Sequence, residues 1–198
     1  MSNKAAWYTE VKGRPFKVDD APIPEPKANK IVIRNHAIAI NPVDAAIQRL
    51  GMLVTEDQLP NILGFDVSGD IVSVGSKVTN FKTGDQVLAM PSSFPANLPR
   101  TGTFQLYVVS NTVIVSKNPD SVTYTQASVL PLCMMVAAIR LYSKDTFDLP
   151  LPQLNPSPLN KVLLAWGGSS SVGSCAIQGA KAAGKISQGQ TTRLDDMR

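Results

Sequence analysis

The chain has 198 residues, of which 43% are hydrophobic and 17% charged, and its formal net charge is +4. This balance excludes a disordered chain, and the scattered lysines and arginines form no dense basic run of the kind that binds nucleic acid. The N-terminus has no apolar signal core, and the longest uncharged apolar stretch, 127–139, is too short to cross a bilayer. We therefore expect a soluble cytoplasmic protein with no nucleic-acid or membrane partner.

Short β-rich segments occupy the first part of the chain. Residues 4–20 predict an edge hairpin that turns at 13–15, and the β-branched run 30–40 predicts the clearest strand. Further strands are predicted within 63–75, at 86–89 after a Gly84-Asp85 turn, at 104–109 and at 112–115. Several short strands at this spacing indicate a small barrel or sandwich.

Helix signals are fewer. In Asn41-Pro42-Val43-Asp44 the proline ends the preceding strand, and Asp44 stands where the N-cap of a short helix is expected. Thr123, followed three residues later by Gln126, has the capping-box pattern. The predicted helical segments are 45–50, a short run after Thr123, and 132–143.

The segment 162–184 has the order strand, glycine- and serine-rich turn, helix. Five mostly apolar residues, 162–166, run into Gly167-Gly168-Ser169-Ser170-Ser171-Val172-Gly173, and a helix of small residues follows as far as Gly184. A parallel strand that presents a nucleotide phosphate to a helix N-terminus has this order. The alternative is an ordinary turn between a strand and a helix, with no ligand.

Three thiol or imidazole side chains are candidates for metal or redox chemistry. The only two cysteines, Cys133 and Cys175, lie in apolar surroundings and predict buried free thiols in a reducing compartment, with a disulfide as the alternative. The single histidine, His36, lies within a predicted strand and has no cluster of ligands near it in sequence. We interpret it as a surface or hydrogen-bonded residue.

Three blocks of the sequence resemble the medium-chain dehydrogenase/reductase family, in its zinc-free branch of quinone reductases and fungal trans-acting enoyl reductases. They are Asn41-Pro42-Val43-Asp44; Gly64-Phe65-Asp66-Val67-Ser68-Gly69 with Val74-Gly75 and Gly84-Asp85-Gln86-Val87; and Trp166-Gly167-Gly168-Ser169-Ser170-Ser171-Val172-Gly173. The resemblance implies a mainly β GroES-like barrel over 1–155, followed at 156–184 by the first βα unit of an α/β Rossmann domain. It also implies NADPH as the cofactor.

The resemblance further implies an oxidoreductase that reduces an activated C=C bond, in an enoyl thioester or a quinone or enone, by hydride transfer. Asn41 and Asp44 match positions near the substrate or nicotinamide. Asn41 either donates a hydrogen bond to the substrate carbonyl or only closes the end of a strand. The implied cofactor-binding residues are Gly167, Gly168, Ser169, Ser170, Ser171, Val172 and Gly173.

No metal is expected. Zinc-dependent members of the family carry a cysteine where Asn41 stands and a histidine where Phe65 stands, and a phenylalanine cannot bind a metal ion. Of that ligand set only the acid, Asp66, remains. We assign Asp66 a structural role, as an acceptor for turn amides or as the partner of a nearby base.

Residues 185–198 contain three isolated apolar residues and no strand pattern, which predicts a divergent, disordered tail. We therefore expect a C-terminally truncated form with weak or no catalytic activity. The alternative is a non-catalytic barrel module that binds an acyl carrier or another partner protein. The expected partners are a small-molecule or carrier-bound acyl substrate, with self-association as a further option. The residues do not distinguish one substrate from another, or NADPH from NADH.

Overall fold

A computed structural model describes residues 2–91, 101–184 and 186–190, the last five by their backbone alone. The chain divides into two compact units, Met1–Pro131 and Leu132–Arg198. The first contains β1 (Asn3–Tyr8), β2 (Lys17–Ala21), β3 (Lys30–Ala39), α1 (Pro42–Leu50), β4 (Asn61–Ile62), β5 (Asp66–Val74), β6 (Gln86–Ala89), β7 (Tyr107–Asn111), β8 (Val115–Lys117) and α2 (Tyr124–Ser128). The elements that follow are α3 (Pro131–Tyr142), β9 (Val162–Trp166), α4 (Ser171–Ala182) and β10 (Ile186–Gln190).

Two antiparallel sheets form the barrel of the first unit. One has the strand order β7-β3-β5-β6-β8, and the other has the order β2-β1-β4. They meet at Ala5, which forms a bridge with Gln105, and the backbone amide of Leu106 donates to the carbonyl of Lys4 at 3.0 Å. Asn3 reinforces this junction, because its buried side-chain oxygen accepts hydrogen bonds from the amides of Leu106 and Tyr107. The predicted small β barrel is confirmed.

The barrel core is built from aliphatic side chains on four strands, β3, β5, β6 and β7. Its buried members are Ile31, Ile33, Val67, Ile71, Val87, Ala89 and Val108. Most of them recur at every second position, as expected when one face of a strand is turned to the interior. Burial of this set supplies the hydrophobic free energy that holds the first unit together.

Local signals predicted several elements of the barrel correctly. The hairpin pairs β1 with β2, the run at 30–40 forms β3, and Thr123 caps α2 with Gln126 in a capping box. Two predictions were wrong. The N-cap of α1 is Asn41, with Pro42 at the first helical position and Asp44 in the first turn, because proline suits that position. Residues Thr112–Ile114 form a 3₁₀ turn that leads into β8.

The boundary between the units falls at 131/132, whereas the sequence places a domain boundary at 155/156. The difference arises because α3 shares an apolar cluster with α4, formed by Leu141, Leu149, Ala180 and Ala183. The proline-rich stretch 149–160 therefore runs within the second unit, with Leu149 in its core. In the described ranges, no helix combines the length and apolar character needed to span a bilayer.

The chain end also differs from the prediction. Residues 186–190 were expected to belong to a disordered tail, but their backbone forms β10, which pairs in parallel with β9. Backbone hydrogen bonds form this pairing, and they require no pattern of apolar side chains. The strand could therefore not be predicted from the polar sequence. Residue 185 and residues 191–198 of the predicted tail lie outside the described residues.

A cluster around Asp70 ties α2 to the barrel. The carboxylate of Asp70, on β5, accepts hydrogen bonds from the guanidinium of Arg34 at 2.8 Å and from the hydroxyl of Tyr124. A ring nitrogen of His36 lies 2.9 Å from the same carboxylate, and the ring stacks on Tyr124 with centroids 4.5 Å apart. The prediction that His36 is a hydrogen-bonded residue is confirmed.

We predict that Tyr124→Phe lowers the free energy of unfolding of the first unit by about 1 kcal/mol, because a hydrogen bond to the carboxylate is lost while the ring stack remains. The matched control is Asp20→Asn, which removes the pair of Asp20 with Lys4 at 3.0 Å. Both of those side chains are exposed, so this change is expected to cost less than about 0.5 kcal/mol. Urea denaturation of both variants measures the difference. Equal costs would contradict a specific role for the Asp70 cluster.

Candidate functional site

The turn between β9 and α4 leads into a helix whose first backbone amides have no acceptor within the helix, and we call these the open amides. Gly167 turns the chain with a φ of +74°, and the amide of Ser170 donates to its carbonyl at 3.0 Å. Ser170 is the N-cap of α4, and its hydroxyl oxygen accepts from the amide of Gly173 at 3.1 Å. Since the first amides of a helix have no intrahelical acceptor, those of Ser171 and Val172 can donate hydrogen bonds to an anion.

Gly173 allows the close packing in this turn. A Cβ atom at this position would lie 2.5 Å from the carbonyl oxygen of Gly167 and 2.9 Å from the Cα atom of Gly168. Both neighbours are backbone atoms that cannot rotate away, so any side chain at 173 would displace the turn. This is the role expected of a glycine that lets a helix start approach its strand.

A shallow cavity of about 250 Å³ lies within the second unit beside this turn. Side chains of β9, including Leu164 and Trp166, line it together with Ser170 and Arg140. Arg140 comes from the last turn of α3 and contributes the positive charge. The sequence prediction did not include Arg140, because no local signal relates position 140 to a turn about 30 residues further along the chain.

The first unit holds a separate polar cluster at the start of α1. The side-chain amide of Asn41 donates to the carboxylate of Asp66 at 2.8 Å. The backbone amide of Asn41 donates to Asp44 at 2.7 Å. Asp44 and Asp66 are both buried, with 3% and 1% of their surface exposed. The two predicted catalytic residues, Asn41 and Asp44, therefore lie together, and Asp66 belongs to the same cluster.

Asp44 is the unusual acid of this cluster. Its pKa is raised to about 6, mainly by burial and in addition by the nearby charge of Asp66, against the lowering effect of the hydrogen bonds from the amides of Asn41 and Gly64. One carboxylate oxygen, Oδ1, is buried and has no hydrogen-bond partner among the described residues. Asp44 can therefore hold a proton, and release it, close to neutral pH.

Within the described ranges, no three or more histidine, cysteine, aspartate or glutamate side chains come close enough together to hold a metal ion. Phe65, at the position of the family's histidine, is buried. That the protein works without zinc stays a prediction.

The sequence of the chain was compared with those of known proteins. Residues 27–120 match the alcohol dehydrogenase GroES-like domain. The chain is 42% identical over 188 residues to the dehydrogenase pigH of Monascus ruber, an alignment that covers 92% of this chain and 51% of that protein. It is 41% identical over 184 residues to the trans-enoyl reductase himH of Aspergillus japonicus, covering 93% and 53%. The chain spans about half the length of the curated relatives it matches.

Several solved structures are also similar to this chain. A quinone oxidoreductase from Coxiella burnetii is similar with a TM-score of 0.73 and 25% identity, over 98% of this chain and 58% of that one. The chain belongs to the medium-chain dehydrogenase/reductase family. An alcohol dehydrogenase superfamily protein from Novosphingobium aromaticivorans is similar with a TM-score of 0.77 and 28% identity, over 98% and 54%. The predicted fold class, a mainly β GroES-like domain followed by part of an α/β domain, is confirmed for this medium-chain dehydrogenase/reductase.

Each predicted site set is local to one unit of this family member. Asn41 and Asp44 form one cluster, and the predicted cofactor-binding residues form one continuous segment, with Gly167, Gly168, Ser169 and Ser170 in the turn and Ser171, Val172 and Gly173 in the first turn of α4. Their roles toward substrate and cofactor stay predictions. The residues that sequence reasoning missed are Gly64, whose amide binds Asp44, and Arg140. No local signal relates Gly64 to Asp44, because 20 positions separate them in the sequence.

Proposed function

We propose that this medium-chain dehydrogenase/reductase is an NADPH-dependent oxidoreductase that reduces an activated C=C bond, in an enoyl thioester or a quinone or enone. The observation that carries the proposal is the βα turn with its open amides at Ser171 and Val172 and its closely packed Gly173. Two similar proteins, a trans-enoyl reductase and a quinone oxidoreductase, support the substrate class.

The residues of the turn suit the phosphates of a dinucleotide. The positive end of the 12-residue α4 and its two open amides favour an anion. The exposed hydroxyls of Ser169 and Ser171 add donors at the same place. NADPH, when bound, supplies the hydride, and the turn fixes the position of its phosphates.

The cluster at α1 suits the acid–base part of such a reduction. Reducing a C=C bond consumes one proton with each hydride, and Asp44 can hold a proton near neutral pH. Asp66 accepts one N–H of the Asn41 amide, which sets the orientation of that amide group. The second N–H of the amide is then the donor that we assign to the substrate carbonyl.

We expect weak turnover in this chain. Among the described residues, the sheet of the second unit has two strands, β9 and β10, so much of the surface that normally surrounds a dinucleotide is not supplied by them. The turn itself is complete, and we therefore expect binding of the cofactor to be easier to detect than reduction of a substrate.

A fluorescence titration with NADPH tests the proposal. The wild-type chain is expected to give a saturable change, and Gly173→Ala is expected to weaken binding at least tenfold, about 1.4 kcal/mol, because the added methyl group displaces the turn. The matched control is Gln178→Ala, an exposed residue further along α4 that is expected to bind like the wild type. Equal affinity of Gly173→Ala and the wild type would contradict binding at the turn.

One observation favours a second candidate function, a non-catalytic module that binds a partner protein. Val162, Leu164 and Trp166 alternate along β9, and each exposes more than half of its side chain. An exposed apolar strand face often marks an interaction site. Failure of the wild-type chain to bind NADPH, together with binding of an acyl carrier protein, would favour this alternative.

A further inference from the structure

The two cysteines of the chain lie against each other inside the second unit. Cys133 is in the first turn of α3 and Cys175 is in the first half of α4. Their sulfur atoms are 3.3 Å apart, although 42 positions separate them in the sequence. Both are buried and neither is in a disulfide, which confirms the prediction of buried, reduced thiols.

The two helices have room to bring the sulfur atoms closer. A disulfide has an S–S bond of about 2.05 Å, so the sulfur atoms must approach each other by about 1.3 Å. The neighbours of the pair in the same apolar cluster are Ala137 and Ala176, whose side chains are single methyl groups. Because both of these neighbours are small, rotations of the two cysteine side chains can close this gap.

The same helix pair is held in register further along. The hydroxyl of Tyr142, at the end of α3, donates to the carbonyl of Gly179 in α4 at 3.0 Å. A Cβ atom at Gly179 would lie 2.8 Å from Cδ1 of Leu141 and 2.9 Å from the Tyr142 hydroxyl, so the glycine lets these two side-chain ends lie close to α4. This hydrogen bond holds the end of α3 against α4, and the thiols meet in the native packing.

We propose that Cys133 and Cys175 are an oxidisable dithiol site, which a peroxide converts to an intrachain disulfide between α3 and α4. In the first step one thiol loses its proton and its sulfur attacks an oxygen of the peroxide, so that the O–O bond breaks and a sulfenic acid forms, while the departing hydroxide takes up that proton and leaves as water. The second thiol then displaces the sulfenic hydroxyl as a second water molecule, and the S–S bond forms. Together the two thiols lose two electrons, and these reduce one hydrogen peroxide molecule to water. A dithiol reductant reverses the change.

The site has two expected properties. Oxidation is slower than that of an exposed thiol, because peroxide reaches the buried pair only when the contact between α3 and α4 opens. The product is more stable than the reduced chain, since the bond closes a loop of 42 positions and restricts the unfolded state. Neither property depends on cofactor binding or on any catalytic activity of the protein.

The test is peptide mapping by mass spectrometry of the full chain after treatment with hydrogen peroxide. The expected product is one cross-linked peptide pair that contains both cysteines, formed in a monomer, lighter by two hydrogen atoms and lost on adding dithiothreitol. Because the chain has only these two cysteines, no other intrachain pairing competes. The oxidised chain is expected to melt more than about 5 °C above the reduced chain.

The controls are Cys133→Ala and Cys175→Ala, each of which leaves one thiol and is expected to show no peroxide-dependent rise in melting temperature. The wild-type chain in urea, treated with the same peroxide, checks that the reagent is active. Sulfinic or sulfonic acids, a disulfide between two chains, or thiols that stay reduced while the urea sample reacts would each overturn the proposal.

Discussion

Replacing Gly64 with alanine is expected to lower the free energy of unfolding of the barrel by about 4 kcal/mol. Gly64 has a φ of +100°, a conformation that strains any other residue. A Cβ atom there would also overlap the hydroxyl of Thr103 and lie 2.5 Å from the ring of Phe104. Strain and overlap act together, and a typical domain has only about 5–15 kcal/mol of stability in total.

Gly84→Ala is the matched control for this prediction. Gly84 has a similar φ of +90°, but no atom lies within 4 Å of its Cβ position. Its substitution therefore measures the conformational strain alone, which we expect to be about 1–2 kcal/mol. Urea denaturation followed by the fluorescence of Trp7, in a Trp166→Phe background, reports on the first unit. Equal effects of the two variants would contradict the predicted overlap at Gly64.

Stability of the barrel is expected to fall between pH 5 and pH 7.5 because of Asp44. Its pKa is about 6 in the folded state against an ordinary value of 3.8, so the folded state binds this proton more tightly than the unfolded state does. The associated stability is complete below about pH 3.8 and is lost as the pH rises through 6. The full difference is about 3 kcal/mol, of which about 1.4 kcal/mol falls between pH 5 and pH 7.5.

Asp44→Asn should remove this part of the pH dependence, because the amide does not titrate. Asp85→Asn is the matched control. The hydrogen bond from the backbone of Lys82 and the nearby ammonium of Lys117 lower the pKa of Asp85, so this group titrates below the measured range. Urea denaturation at pH 5.0, 6.0 and 7.5 gives the slopes. If Asp44→Asn keeps the slope of the wild type, Asp44 is ionised throughout and is not a proton carrier near neutral pH.

The correct predictions rested on interactions between residues close in sequence. The Thr123–Gln126 capping box, the Gly84-Asp85 turn and the turn at 167–173 each involve neighbours within a few positions. The turn residues of the candidate cofactor site were predicted for this reason. One prediction from a local signal was wrong because a second signal competed with it. Pro42 suits the first position of a helix, so the N-cap of α1 lies three residues before the predicted N-cap, Asp44.

The contacts that sequence analysis did not predict involve segments that the chain brings together from a distance. Asn41 contacts Asp66 across 25 positions, and Cys133 contacts Cys175 across 42. β10 pairs with the edge of β9, although the sequence of 186–190 has no pattern typical of a strand. Neither the composition nor the periodicity of one segment contains information about which distant segment will lie beside it.

By itself the sequence determined the family resemblance, the mainly β first part, and the glycine- and serine-rich turn before α4. Glycine and proline restrict or free the backbone wherever they stand, so these features follow from the residues directly. Only the tertiary structure decided that Asp44 and Asp66 share one buried cluster and that the two thiols are in contact. Those properties depend on burial and distance, which the packing of α1 in the first unit, and of α3 on α4 in the second, creates.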